Sequence, residues 1–430
     1  MKILFIENKF KTYTWQSIAK MLSSEVEIHW LVQNPAIRPK IGIVHYVQIP
    51  KLTCKRQSKD NIVNDELKQK DRFFTIYRKE PIHYEYYSKK IEQILQEIQP
   101  TLAIGEATLF HELITINKCK ELGVLYLNPA TCRYPTGRFS FYKYDTQIPY
   151  LGSEERWTKD KIAREITNIS DRNVKPDYMS VDINFTKTLL QAMRKANLNL
   201  KSILCGEVYN TPSITQKYQI TAQMRHAKRN FRKMSISEIE NFDPEKCVIY
   251  PMQMQPEANL DVWGYPHNDQ TKVIRQLSGS LVDKYLLIKT NPKWKYEIND
   301  PLVKAISALP NVYALSPSIK MESLFRKFKY FYTITGTIGH EALLGDKVCL
   351  SSNSSLIANF QPEWICDPEH INYDIKTLNV GFKKEDVINY LVKTSYTGVI
   401  NDPVTATGVL GFENIKHLTA AFFNVLERIE

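Results

Sequence analysis

Residues 330–350 read Tyr-Phe-Tyr-Thr-Ile-Thr-Gly-Thr-Ile-Gly-His-Glu-Ala-Leu-Leu-Gly-Asp-Lys-Val-Cys-Leu. The first six are aromatic or β-branched and predict a buried strand. Gly336 and Thr337 read as a tight turn, followed by a short helix and a second strand from Lys347. A strand that turns directly into a helix leaves free backbone N–H groups at the helix start, where an anion is favoured. The stretch therefore predicts an α/β protein that holds an anionic ligand at the carboxyl end of a parallel strand. The bland alternative, that Gly and Thr serve turn geometry alone, stays open on this segment by itself.

Working outward, the same alternation recurs on both sides. Upstream, strands are expected at 248–252, 286–289 and 312–315, with helices around 270–277, 302–308 and 321–327. The first half repeats the pattern with strands at 2–6, 26–32, 102–105 and 124–127. Its helices are expected at 14–22, with Trp15, Ile18, Ala19 and Leu22 on one face, at 84–98, stopped by Pro100, and at 110–122, ending at Gly123. Alternating strands and helices predict parallel sheets covered by helices. The polar stretch 55–75 reads as an exposed loop or irregular helix. The expected organisation is an N-terminal α/β domain over 1–245 whose last part, about 155–245, is a helical bridge, and a C-terminal α/β domain over 246–410. An amphipathic helix at 411–430 is expected to pack across both.

Composition narrows the class. A content of 43% hydrophobic and 24% charged residues over 430 positions is that of a folded globular chain, and no apolar run is long enough to span a bilayer. The start Met1-Lys2-Ile3-Leu4-Phe5-Ile6-Glu7 reads as a first strand and not a signal peptide, so a cytoplasmic location is expected. The cysteines at 54, 119, 132, 205, 247, 349 and 366 form no C-x-x-C pair, which fits reduced thiols and argues against zinc. The first strand–helix turn, Glu7-Asn8-Lys9-Phe10-Lys11, has no glycine, so no NAD or FAD is expected. The formal charge of +11 favours anionic partners without choosing among them. Part of that charge is patterned. Arg225, Lys228, Arg229, Arg232 and Lys233 follow i, i+3, i+4, i+7, i+8 spacing and share one helical face. This is either a solvated face or a contact for anionic lipid headgroups or an acidic acceptor. Without interleaved aromatics apart from Phe231, it does not predict nucleic-acid binding.

Polar residues gather just beyond the expected strands: Gln253, Gln255 and Glu257 after the first of the second half, Lys289-Thr290-Asn291-Pro292-Lys293 after the next, and Thr335-Gly336-Thr337 with His340 and Glu341 after the fourth. In a doubly wound sheet such ends line one crevice. The first half offers Gly105-Glu106, with His111 one turn into the following helix, and then Arg133-Tyr134-Pro135-Thr136-Gly137-Arg138-Phe139.

These motifs resemble the capsule polysaccharide biosynthesis proteins. That group includes the β-Kdo transferases of bacterial capsule and lipopolysaccharide assembly and relatives acting on other CMP-activated nonulosonic acids. The resemblance covers roughly residues 100–350. It rests on Gln-Pro-Glu at 255–257, Lys-x-Asn-Pro-Lys at 289–293, Thr-Gly-Thr-x-Gly-x-Glu-Ala at 335–342, Gly-Glu at 105–106 and Arg-Tyr-Pro-x-Gly-Arg-Phe at 133–139. It implies a GT-B fold: two Rossmann-like domains facing a central cleft, nucleotide sugar on the C-terminal one and acceptor on the N-terminal one. Where the family often has His-Pro, this chain has Asn291-Pro292. Asn hydrogen-bonds a phosphate but brings no charge, so Lys289 or Lys293 is expected to supply it.

The residues support the same chemistry. The chain has no Asp-x-Asp motif, so cations and backbone amides are expected to hold the departing phosphate without a metal. Gln255, Lys289, Asn291, Pro292, Lys293, Thr335, Gly336, Thr337, His340 and Glu341 are the expected donor residues, and Glu106 and Glu257 the carboxylates that deprotonate the acceptor or attack the anomeric carbon. His111, Arg133 and Arg138 are expected to meet an acidic sugar or acceptor, and each assignment has a structural alternative, such as a helix cap for Glu106. The expected activity is metal-independent transfer of an acidic sugar (Kdo, pseudaminic, legionaminic or a similar acid) from CMP to a capsule or surface glycan, free or lipid-linked. The inner membrane surface is an expected partner, and no cofactor is expected beyond the CMP-sugar substrate. Retention and inversion both stay open. The alternatives are another nucleotide-sugar transferase, a sugar-nucleotide epimerase, or a non-catalytic subunit of glycan assembly.

Overall fold

The computed structural model of the chain describes residues 1–50, 65–77, 83–177, 185–291, 293–294, 296–371 and 381–429. Pro292, among the expected donor residues, lies outside them, as do Cys54 and the first part of the polar stretch 55–75. The protein is α/β, with two sheets in two compact units. The first unit gathers Met1–Trp157, Lys175–Ser213 and Tyr390–Glu430; the second gathers Thr158–Val174 and Ile214–Asn389. The helical segment read from sequence as one bridge is thus shared between the units. The helices Lys159–Ser170 and Ile214–Met234 belong to the second and the helix Phe185–Leu204 to the first.

The first sheet has seven strands: β1 (Lys2–Ile6), β2 (Glu27–Val32), β3 (Ile43–Tyr46), β4 (Leu102–Ile104), β5 (Leu125–Thr131), β6 (Arg138–Lys143) and β12 (Tyr396–Thr397). Their order is β12-β6-β5-β4-β1-β2-β3. The five from β5 to β3 are parallel, while β6 and β12 join antiparallel. β1 reads Lys-Ile-Leu-Phe-Ile, and its last four residues are buried, as befits a central parallel strand covered on both faces. Ile415, Leu418, Phe422 and Val425 of the helix Phe412–Leu426 fall on one stripe and enter the core of this unit beside Phe5, Trp30 and Phe141. The final helix therefore closes the first unit, next to β12, which extends the same sheet.

The second sheet holds β7 (Cys247–Pro251), β8 (Tyr285–Lys289), β9 (Val312–Ala314), β10 (Tyr330–Thr333) and β11 (Val348–Ser351), all parallel, in the order β11-β10-β7-β8-β9. Each sheet reverses its winding once, between β1 and β4 in the first unit and between β7 and β10 in the second. Such a switch point opens a crevice beyond the strands' carboxyl ends.

Candidate functional site

In the first unit the switch point is occupied by Glu7, Asn8 and Lys11 after β1 and by Gly105 and Glu106 after β4. Gly105 is required there: a Cβ would lie 2.3 Å from the Tyr126 hydroxyl and 2.9 Å from Ile6 Cβ. That closeness lets Tyr126 donate to the Glu106 carbonyl at 2.6 Å. Buried Glu112 fixes the same turn by accepting from the N–H groups of Glu106, Thr108 and Leu109 at 3.0, 3.1 and 2.9 Å. The Glu106 carboxylate accepts from Asn8 Nδ2 at 3.1 Å and pairs with Lys11 Nζ. Side-chain exposures of 14% for Lys11 and 15% for Glu106 leave an edge of the pair reachable. The pair also gives Glu106 a use beyond capping the next helix, a task Glu112 performs.

Burial lowers the Lys11 ammonium to about 8, against the pull of the Glu112 and Asp402 carboxylates. Burial likewise pushes the Glu7 carboxyl up, opposed by His111 and by N–H groups of Lys9 and Asn34. The lysine makes a pH-dependent contribution. An unfolded lysine titrates near ~10.4, so between about 8 and that value the unfolded chain holds the extra proton. Raising pH through this window stabilises the fold through this group. Urea unfolding of wild type and Lys11→Met is expected to show the wild type gaining relative to the variant as pH rises across the window. A pH-independent difference contradicts this.

His111 is fully buried. Its Nε2 meets the Glu7 carbonyl at 2.8 Å and its Nδ1 meets Asn210 at 3.2 Å, so the acceptor-binding role expected for it gives way to tying the helix Phe110–Leu122 to the β1 turn. Arg138, also expected to meet the acceptor, is likewise engaged by the scaffold. It sits on β6, 4% exposed, with Nε donating to Ser395 Oγ and the guanidinium to Glu155, Ser153, and the carbonyls of Val392 and Ser395. It fastens the C-terminal segment to the first sheet. Arg133 lies half-buried on the turn between β5 and β6, apart from this anchor.

In the second unit the switch point is bridged by Gln253. Its Nε2 donates to Thr335 Oγ1 at 2.8 Å, and its Oε1 accepts from Thr335 N at 2.9 Å. Gly336 N donates to Thr333 Oγ1 at 2.8 Å. The amides at 335 and 336, expected to hold an anion, thus serve the scaffold. Gln255 is also absorbed: its Nε2 donates to Asp261 at 2.9 Å and to the Asn268 carbonyl at 3.4 Å. Buried Gln270 completes the network with bonds to Tyr250, to both backbone groups of Gln253 and to Gln255. Glu257 precedes the short helix Ala258–Asp261, is half-buried, and accepts through its carbonyl from Leu260 and Asp261.

Glu341 and His340, on the helix Ile338–Leu344, are buried, and Glu341 pairs with Arg172. Arg172 follows the helix Lys159–Ser170 with φ of 57°, a left-handed conformation that stops the helix, and its guanidinium lies 5.6 Å from the Phe325 ring centre. Thr337 stands at the N-terminal boundary of the same helix.

Lys289 ends β8 with its side chain buried, its Nζ donating to the Pro317 carbonyl at 3.2 Å and burial lowering its pKa. Beyond it, Asn291 Oδ1 accepts from Lys293 N at 2.9 Å, curling the chain so that Trp294 reaches the helix Ile214–Met234. There Lys228 Nζ donates to the Trp294 carbonyl at 2.7 Å and lies 5.2 Å from its ring, while the Arg232 guanidinium lies 5.0 Å from the same ring. Ala227 and Phe231 are buried on the inner side, and Phe231 packs edge-on against Trp294. Arg225, Lys228, Arg229, Arg232 and Lys233 consequently line one groove of about 450 Å³. The basic stripe and the loop after β8 are one feature, joined by an aromatic ring absent from the helix's own sequence. Five cations on one groove repel each other, and a bound anion relieves that repulsion.

Lys11, Glu112, Arg172 and Trp294 were not among the expected site residues. Lys11 and Trp294 carried a sequence signal: Lys11 lies in the turn after β1, two residues from Lys9, and Trp294 stands between Lys293 and Lys295 in the loop after β8. Arg172 carried none, because only tertiary packing brings it to Glu341.

No protein-family model matches this chain, and no curated protein matches it. Solved structures do match. The KpsC β-Kdo 2,7-transferase of Thermosulfurimonas dismutans is 10% identical, covering 97% of this chain and 99% of that one, with a TM-score of 0.39. The UDP-GlcNAc 2-epimerase of Neisseria meningitidis bound to UDP-GlcNAc is 13% identical with full coverage of both chains and a TM-score of 0.24. That of Methanocaldococcus jannaschii is 11% identical over 91% and 98%, with a TM-score of 0.26. At these TM-scores the likenesses carry no argument; the architecture stands on the strand pairing described above.

Proposed function

We propose that the chain is a metal-independent GT-B glycosyltransferase that moves an acidic sugar from a CMP-activated donor to a surface-glycan acceptor. The observation that carries this reading is the five-cation groove joined to the loop leaving β8. In the reaction, the bond from the anomeric carbon to the CMP phosphate oxygen breaks, the acceptor oxygen becomes bonded to that carbon as its proton passes to a carboxylate, and CMP departs with added negative charge. Preorganised cations stabilise that charge without reorganising. Lys228, Arg232 and Lys293 are assigned to the phosphate, Trp294 to the base or sugar face, and Asn291 to a hydrogen bond. Gln253, Gln255, Thr335, Gly336 and Lys289 hold the loops in place.

The acceptor belongs on the first unit, where Glu106 takes the acceptor hydroxyl proton and Lys11 aims its carboxylate. Glu257 is the second carboxylate, on the donor side. The test is thermal unfolding with CMP and with UDP. CMP is expected to raise the melting temperature more than UDP does, and the rise is expected to shrink with added salt, because the contacts are charged. Stabilisation by UDP in preference to CMP would instead favour a UDP-sugar enzyme.

A further inference from the structure

The helix Phe185–Leu204 has a face for which the proposed chemistry has no use. Leu189, Met193, Leu200 and Leu204 are 52%, 59%, 56% and 77% exposed. At about 100° per residue they fall within one narrow stripe, widened by exposed Leu190 and Ile203 on either side. The opposite side of the helix is fixed: Leu198 and Ser202 are buried, and Ser202 Oγ accepts from Asn34 Nδ2 at 2.9 Å. The helix is therefore held by one face and presents large apolar side chains on the other. Exposed Arg194 and Lys201 flank the stripe on one side and Lys195 on the other. Between Asp182 and Glu207 the chain has no acidic residue.

We propose that this face lies on an anionic lipid surface, with the apolar stripe in the headgroup boundary and the flanking cations on lipid phosphates. Apolar stripe, cationic flanks and lack of acids are the features of an interfacial helix. Charge decides against a second copy of the chain. A two-fold contact through this stripe would bring the cations Arg194, Lys195 and Lys201 of one copy towards those of the other, with no acidic residue between them, whereas anionic headgroups complement them. This contact is separate from the cationic groove of the helix Ile214–Met234.

The test is co-sedimentation of the full chain with vesicles of phosphatidylcholine alone and of phosphatidylcholine mixed with phosphatidylglycerol. Wild type is expected to bind the mixed vesicles and not the neutral ones. The triple variant Leu189→Glu, Met193→Glu, Leu200→Glu is expected to lose at least about tenfold in binding. The variant Arg194→Gln, Lys195→Gln, Lys201→Gln is expected to bind more weakly and with less salt dependence. Both are expected to keep the CMP-induced thermal shift, so a failure here is distinct from a failure of the glycosyltransferase reading. Three results would overturn the proposal: no binding by wild type, equal binding by the triple variant, or light scattering that shows a wild-type dimer and a monomeric triple variant.

Discussion

Replacing both Lys228 and Arg232 by Ala is expected to abolish the stabilisation of the protein by CMP. The two cations share the Trp294 ring and flank the groove at its junction with the loop after β8. A hydrogen bond to a charged group contributes about 1.5–3 kcal/mol, so removing two should weaken CMP binding by about 10²–10⁴-fold. The side chains also order the Trp294 loop, which adds to the loss. The fold itself should survive, since the helix is anchored by Ala227 and Phe231, although half-buried Lys228 also gives up its hydrogen bond to the Trp294 carbonyl. Titration calorimetry with CMP reads the effect directly. An unchanged affinity in the double variant would remove the groove from the donor site.

The second large effect is structural. Arg172→Met is expected to destabilise the protein by about 3–5 kcal/mol, the usual cost of removing one partner of a buried ion pair. Glu341 is 3% exposed, so its carboxylate cannot turn to water when the guanidinium is gone. The double variant Arg172→Met, Glu341→Gln should recover most of the loss, because the charge that needed the partner is gone as well. Urea unfolding of the three variants gives the coupling. A loss below about 1 kcal/mol in Arg172→Met would mean that the pair behaves as a surface contact. The pair also bears on function. A carboxylate held by Arg172 is a weaker acceptor for a ribose hydroxyl than one that is free to turn.

Much of this architecture was legible in the chain because its strands are short apolar runs ended by polar residues. β1, β7, β8 and β10 fall within a residue or two of their expected bounds, and the helices Tyr84–Ile98, Phe110–Leu122 and Met321–Lys327 coincide with theirs. Elements whose existence depends on a distant partner were not legible. β6 was read as part of a binding motif because Arg138 begins it, yet that arginine is held by Ser395 and Val392, more than 250 positions away. β12 has only two residues and exists because β6 is beside it.

The same distinction runs through the site. Strand-end positions for Glu106, Glu257, Lys289 and Thr335 followed from local pattern. Which of them have polar groups left over for a ligand did not, since that depends on Gln253, Gln270, Pro317 and Lys11 arriving from elsewhere. The amides of Thr335 and Gly336 illustrate this: the turn formed as read, and its N–H groups were taken by Gln253 and Thr333. The cationic stripe shows the converse. Its face was evident from spacing alone, but its value came from Trp294, which no helical period could reveal.

The central claim is that the second unit grips the phosphate of a cytidine nucleotide through the cations of the helix Ile214–Met234. A crystal structure of the protein with CMP tests it most directly. The phosphate is expected within about 2.7–3.2 Å of Lys228 Nζ or the Arg232 guanidinium, with Trp294 against the nucleoside. A phosphate bound elsewhere on the chain, with these side chains untouched, would contradict it.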